Sequence, residues 1–288
     1  MDTKELIRKV RKIEIKTKGL TSQIFSGEYH SAFKGKGMAF SEVREYAIGD
    51  EIRTIDWNVT ARFNDPFVKV FEEERELTVM LLVDVSNSTM FGTKHQLKRE
   101  LITELCAVLA FSASANKDRI GVIMFSDKIE KFIPPKKGKS HILRIIRELI
   151  NIKPSGNSTD IGEALKYFSK MVKKKSTAFL ISDFRATGFK DALKITSRKH
   201  DLIALKITDK AEYDIPKVGV AKFKDLETGE TKWINTSLKS VREKYRQKQL
   251  KFDQNVLEMF KRFNIDKAEI STDKDYIKPL MNLFKRRA

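Results

Sequence analysis

From Thr78 onward, apolar runs of strand length alternate with stretches of helical periodicity. Thr78-Val-Met-Leu-Leu-Val-Asp84-Val85 is apolar almost throughout, as a strand buried on both faces requires. Leu97, Leu101, Leu105 and Val108 then recur at helical spacing across 95–116. Residues 119–125 give a second buried strand, and 129–132 a short one that ends at Pro134-Pro135. The pattern predicts helices over 140–151, 160–174 and 188–200, and strands over 177–182 and 202–207. Repeated β-α-β units of this kind imply a mostly parallel sheet with helices on both faces.

Two parts of the chain depart from that rhythm. Near 218–235 two short β patterns flank Glu227-Thr-Gly-Glu230, which predicts an inserted hairpin. Leu238, Val241, Tyr245, Phe252, Val256, Met259 and Phe263 follow as one long amphipathic helix, then a strand over 268–271 and a helix over 274–286. Residues 1–76 differ in character. Leu6, Ile7, Val10 and Ile13 mark an amphipathic helix, and period two places Phe40, Glu42, Arg44 and Tyr46 on one face of a strand. The expected organisation is an N-terminal helix with a small β module over 1–76 and an α/β domain over 77–288.

Composition narrows the class. Of 288 residues, 41% are hydrophobic, enough for a packed core, and no run approaches the uncharged apolar length of a membrane helix. The start, Met1-Asp-Thr-Lys-Glu5, lacks the apolar centre of a secretory signal. A cytoplasmic protein is expected. Cys106, the single cysteine, falls within the apolar helix and reads as a core thiol. The net charge of +18 admits an anionic partner but is spread along the chain, as a solvated basic surface would be.

Three loops concentrate small hydroxyls and carboxylates. Asp84-Val-Ser86-Asn-Ser88 closes the first strand, Thr159-Asp160 opens a helix, and Asp183 ends the strand 177–182. In a parallel sheet all three would meet at the carboxyl edge, where ligands bind. Asp84 and Asp183 with Ser86, Ser88 and Thr159 offer oxygen ligands only. That set suits Mg²⁺ or Mn²⁺, and the absence of His and Cys from these loops disfavours zinc. A sparse set also leaves a coordination position open to a partner's carboxylate. The plainer alternative for each loop is helix capping, with Thr159 or Asp160 capping the helix from Ile161.

These residues carry a resemblance. Asp84-x-Ser86-x-Ser88, Thr159 and Asp183 resemble the metal-ion-dependent adhesion site of von Willebrand factor A domains. The chain also resembles the bacterial domain-of-unknown-function 58 proteins. The matching positions are Gly27, His30 and Ser31, Gly35-x-Gly37, Phe40-x-Glu42-x-Arg44-x-Tyr46, Gly49-Asp50, Arg53-x-Ile55-Asp56-Trp57, Thr60-Ala-Arg62 and Val68-Lys69-x-Phe71. Thr272-Asp-x-Asp-Tyr276 and Leu283-Phe-x-Arg286 extend it to the C-terminus. The resemblance implies a von Willebrand A-like α/β fold, association with MoxR-type AAA+ ATPases, and an adaptor or co-chaperone role in complex maturation or stress tolerance.

In the β module, a catalytic reading would pair His30 with a carboxylate. The structural reading has Arg and Asp pairs bracing a small sheet around Trp57 and Phe63. Arg44, Arg53, Trp57 and Arg62 could also form a docking face. Lys137-Gly-Lys-Ser140 is no phosphate loop, since Ile133 stands where that motif needs glycine. The expected function is therefore a non-enzymatic, metal-dependent protein-interaction module. The alternatives are a metal-assisted phosphoester hydrolase and a non-specific nucleic-acid binder.

Overall fold

In a computed structural model the described residues are 11, 13, 14, 39–63, 65–72, 77–92, 96–156, 158–224 and 231–287. The expected helix at Leu6, Ile7 and Val10, the positions Gly27 to Gly37 with His30, and the hairpin tip at 227–230 lie outside them. The described residues form two compact units, one within Phe33–Leu77 and the other comprising residues 11, 13 and 14 with those from Thr78 onward.

The larger unit is the mixed α/β layer structure that the pattern implies. Strands β3 (Thr78–Asp84), β4 (Arg119–Phe125), β5 (Ile129–Lys136), β6 (Thr177–Ser182), β7 (Asp201–Thr208) and β10 (Asp266–Ser271) make one sheet of order β10-β7-β6-β3-β4-β5. Every neighbouring pair is parallel except β4 and β5. β5 runs on through Pro134 and Pro135, which an edge strand tolerates because its outer N–H groups need no partner. Gly121 makes that close approach workable. A Cβ there would lie 2.8 Å from the Ile133 carbonyl and the Pro135 nitrogen, and the β4–β5 register slips beside it.

Alternation along β3 assigns the two faces. Met80 and Leu82 join Ile123 and Phe125 in a core with Ile161, Leu165 and Phe168 of α4 (Ile161–Met171), Leu193 of α5 (Lys190–Lys199), and Val256 and Phe260 of α6 (Lys239–Arg262). Val79, Leu81 and Val83 face the other way, the side of α2 (Lys98–Ala115). Cys106 is buried within α2, and burial pushes its thiol pKa far up, so it is the expected core thiol. α3 (Lys139–Asn151) packs beside α2, and α7 (Ile277–Lys285) closes against β10.

The inserted ribbon pairs β8 (Val220–Lys224) with β9 (Thr231–Asn235). The α6 pattern is only partly as expected. Leu238 precedes the helix and is 52% exposed, while Phe260, outside the counted periodicity, is fully buried.

The smaller unit corrects a sequence expectation. β1 (Ala39–Glu45) and β2 (Phe67–Glu72) pair antiparallel, but the register shifts between Phe40 and Glu42, breaking strict alternation there. Trp57 and Phe63 do not form its core. They bound α1 (Trp57–Phe63) and are 67% and 65% exposed, because Asp56 accepts N–H bonds from Asn58 and Val59 and starts a helix instead of a strand. Val68 is its buried apolar residue among those described. Arg44 and Asp50 do pair, with Nη1–Oδ2 at 2.8 Å and Nη2–Oδ1 at 2.6 Å, but along the chain and not across strands. The Arg44 guanidinium holds the Asp50 carboxyl below its usual pKa.

His200 closes α5, with its ring 4.4 Å from that of Phe168 and no hydrogen-bond partner for either nitrogen among the described residues. Burial, with Lys199 nearby, pulls its pKa down to about 4 from the ordinary 6.5. The folded protein thus refuses a proton that the unfolded chain takes up. Stability is fully present above pH ~6.5 and falls as the pH drops toward ~4. Urea unfolding of His200→Leu at pH 7 and pH 5 should show a pH-dependent loss smaller than wild type by about 2 kcal/mol. Equal losses in both proteins would show that His200 does not contribute.

Candidate metal centre

The chain leaves β3 for β4 on one side and later returns to place β6 on the other. In such sheets the crevice at the carboxyl ends flanking this reversal, here those of β3 and β6, is the usual ligand position. Asp84 ends β3 and Asp183 directly follows β6, so both carboxylates reach that crevice, each nearly fully buried.

Local hydrogen bonds fix the first loop. The Ser86 N–H donates to Asp84 Oδ1 at 3.0 Å, and the Ser86 and Ser88 hydroxyl oxygens lie 3.1 Å apart. The Thr89 hydroxyl donates to the Ser86 carbonyl at 2.7 Å, tightening the 3₁₀ turn Asn87–Met90. From β6, the Ser182 hydroxyl donates to Asp84 Oδ2 at 2.6 Å, tying the two strand ends together. Asp183 Oδ1 accepts the Arg185 N–H at 3.1 Å. Phe184 between them sits at φ 59°, a left-handed conformation that costs a bulky residue about 1–3 kcal/mol. Its buried ring, 4.9 Å from that of Phe260, supplies the packing that holds the turn.

Thr159 approaches by its backbone. The Asp160 N–H donates to the Ser126 carbonyl at 2.8 Å, and Ser126 follows Phe125, the residue paired with Asp84 across β3 and β4. Thr159, half-buried, therefore lies on a loop pinned to the same sheet edge. Asp160 is the cap of α4, accepting the Glu163 N–H at 2.9 Å. The capping alternative holds for Asp160.

Electrostatics set the two acids apart. Burial, and then the charge on Asp183, push the Asp84 pKa up to about 6. Burial acts the same way on Asp183 but is outweighed by Lys98, which keeps that carboxyl below its usual value. Lys98 is completely buried. Its ammonium donates to Asp183 Oδ2 at 3.0 Å and to Glu212 Oε1. Glu212 Oε2 in turn accepts the Asp209 N–H at 3.0 Å, and the Thr272 hydroxyl donates to Asp209 Oδ2 at 2.6 Å.

Sequence reasoning missed these supporting groups, although two left a signal. Lys98 shares an apolar helix face with Leu101 and Leu105 at i+3 and i+7, and Asp209-Lys-Ala-Glu212 has capping-box spacing. Glu130 left none. It accepts the Ser126 hydroxyl at 2.6 Å and the N–H groups of Ser155 and Gly156 at 2.9 and 3.0 Å, shaping the loop that carries Thr159. Arg44, Arg53, Trp57 and Arg62 belong to the smaller unit, and all are exposed.

Residues 42–255 match the family described as protein of unknown function DUF58. The chain belongs to this family. An uncharacterised protein of Mycobacterium tuberculosis is 28% identical over 232 residues, 80% of this chain and 73% of its own. An aerotolerance-related membrane protein of Bacteroides fragilis shares the fold, with TM-score 0.50 and 18% identity over 73% of this chain and 98% of that one. The von Willebrand A domain of SpRpn10 superposes with TM-score 0.41 and 9% identity, covering 72% and 94% of the two chains. The likeness to the Bacteroides fragilis structure concerns the fold alone.

The DUF58 site fits a hard divalent cation chemically. Among the described residues no group of three His, Cys, Asp or Glu side chains is placed to hold a metal. The edge instead offers two crowded carboxylates and hydroxyl oxygens, and burial, with the charge on Asp183 added to it, pushes Asp84 toward its protonated form. A cation relieves that repulsion directly.

Lys98 should be indispensable to the folded site. Lys98→Met leaves the buried Asp183 and the half-buried Glu212 without their counter-charge and should cost about 3 kcal/mol in urea unfolding. Adding Asp183→Asn should recover at least half of that loss. Additive losses in the double variant would contradict the pairing.

Proposed function

We propose that this DUF58 chain is a non-enzymatic protein-interaction module whose affinity depends on a divalent cation. Asp84, Ser86, Ser88, Thr159 and Asp183 would hold Mg²⁺ or Mn²⁺, directly or through water. A carboxylate of the partner would complete the coordination. The observation that carries this reading is the buried Asp84–Asp183 pair at the sheet's switch point, with the Ser86 and Ser88 hydroxyls beside it.

The bound ion supplies positive charge at the floor of the crevice. The protein's own groups do the remaining work. Ser182 orients Asp84, Lys98 holds Asp183 ionised, and the Arg185 N–H fixes the direction of its second oxygen. The proposed partner is a MoxR-type AAA+ ATPase or its client, met in the cytoplasm, with this chain acting as adaptor or co-chaperone in complex maturation or stress tolerance. Arg53, Trp57 and Arg62 are exposed on the smaller unit and would supply a second contact.

Chelator-stripped protein should melt several degrees higher in millimolar Mg²⁺ or Mn²⁺, since a ligand at about 100 times its Kd stabilises by about 2.7 kcal/mol. Asp84→Ala should abolish that shift and the divalent-dependent capture of partner, while still melting cooperatively. Asp84→Asn guards against loss of fold. A shift of wild-type size in both variants would remove the metal reading. Mg²⁺-dependent turnover of a phosphate ester that ends with Asp84→Asn would replace it with a hydrolase.

A further inference from the structure

The β8–β9 ribbon has one face turned away from the molecule. Directly paired residues of an antiparallel ribbon share a face. The pairs Lys222↔Trp233 and Val220↔Asn235 therefore present Val220, Lys222, Trp233 and Asn235 together. All are exposed, Trp233 at 71% and Val220 at 62%, whereas Ala221, Phe223 and Ile234 on the opposite face are half-buried. Val218 and Leu238, 58% and 52% exposed, add bare apolar surface at the open end of the ribbon.

The ribbon is firmly seated. The Thr236 hydroxyl accepts the Val218 N–H at 2.9 Å and donates to the Gly219 carbonyl at 2.8 Å. Gly219 at φ 82° makes the turn, and Arg242 donates to the carbonyls of Thr236 and Ser237, joining the ribbon to the start of α6. From 231 to 251 the chain carries seven Lys or Arg against the single acid Glu243. Lys244, Lys248 and Lys251 follow one another at i+4 and i+7 on α6, all exposed.

We propose that the outer face of the β8–β9 ribbon, with the basic first half of α6, docks on an anionic lipid bilayer. Cations alone would suit any polyanion. A nucleic-acid backbone, however, offers nothing to Val218, Val220 and Leu238, which stay bare among the lysines. A bilayer surface satisfies both halves of this composition. Its headgroups attract the lysines, and its interfacial layer receives the aliphatic side chains and the amphipathic indole of Trp233. No helix among the described residues is long and apolar enough to cross a membrane, so the contact would be peripheral.

Sedimentation of the full chain with lipid vesicles, run in chelator, tests this independently of the metal site. The protein should co-sediment with phosphatidylglycerol–phosphatidylcholine vesicles and stay in solution with phosphatidylcholine alone. Reversing Lys244, Lys248 and Lys251 to Glu should weaken partition by about fivefold per charge removed. Trp233→Ser should weaken it about tenfold with an unchanged melting temperature. Failure of wild type to bind the anionic vesicles overturns the proposal. So does a Trp233→Ser variant that binds vesicles like wild type while charge reversal abolishes retention on duplex DNA, which would mark a general polyanion surface.

Discussion

Two carboxylates buried side by side repel each other, and the carboxyl edge of this sheet is built around that repulsion. Asp84 and Asp183 reach one edge because β3 and β6 are parallel neighbours at the point where the strand order reverses. Burial raises the cost of charge on both, and each raises it further for the other. The fold answers asymmetrically. Asp183 receives an internal cation, the fully buried Lys98, while Asp84 receives only hydrogen bonds from Ser182 and the Ser86 N–H. One acid is therefore kept charged and the other is left near its titration point at about 6. That imbalance is what a divalent cation would correct.

The same ion pair ties the crevice to the far side of the sheet. Lys98 bridges to Glu212 on the 3₁₀ turn after β7, and the next residue, Tyr213, donates its hydroxyl to Asp253 of α6. Asp253 also pairs with Lys206 at 2.8 Å, on the β7 face that otherwise packs into the core through Leu202 and Ala204. A chain of paired polar groups, buried at Lys98, Lys206 and Asp253, thus runs from the sheet's switch point to the long helix, next to a cleft of 1010 Å³ lined by Lys206, Tyr213 and Asp253. Each member is paired, as buried ionic groups must be for the fold to tolerate them.

The sheet was legible because its signal is local. Short unbroken runs such as 79–83 suit strands buried on both faces, and β-α alternation leaves one sensible arrangement. Asp84, Ser86, Ser88 and Asp183 were legible for the same reason, since strand ends in a parallel sheet share an edge. Lys98 and Glu212 lie 114 positions apart, and nothing local says that a lysine in an apolar stripe will meet two acids. Trp57 and Phe63 misled for a different reason. Aromatic content favours a sheet core, but a single Asp at position 56 caps a helix and turns both rings outward. A few hydrogen bonds at an element's start outweigh the propensity of the side chains that follow.

The overall charge sharpens the meaning of the acidic crevice. A chain of net charge +18 repels a free cation at long range, so it makes a poor general scavenger of metal ions. Within a screening length of about 8 Å, however, the local carboxylates dominate. The same surplus attracts any acidic surface, whether a partner protein or a lipid headgroup layer. A cation held deep between Asp84 and Asp183 would then be reached by a partner already drawn in by the basic exterior. Long-range charge would bring the acid close, and short-range coordination would decide which acid stays.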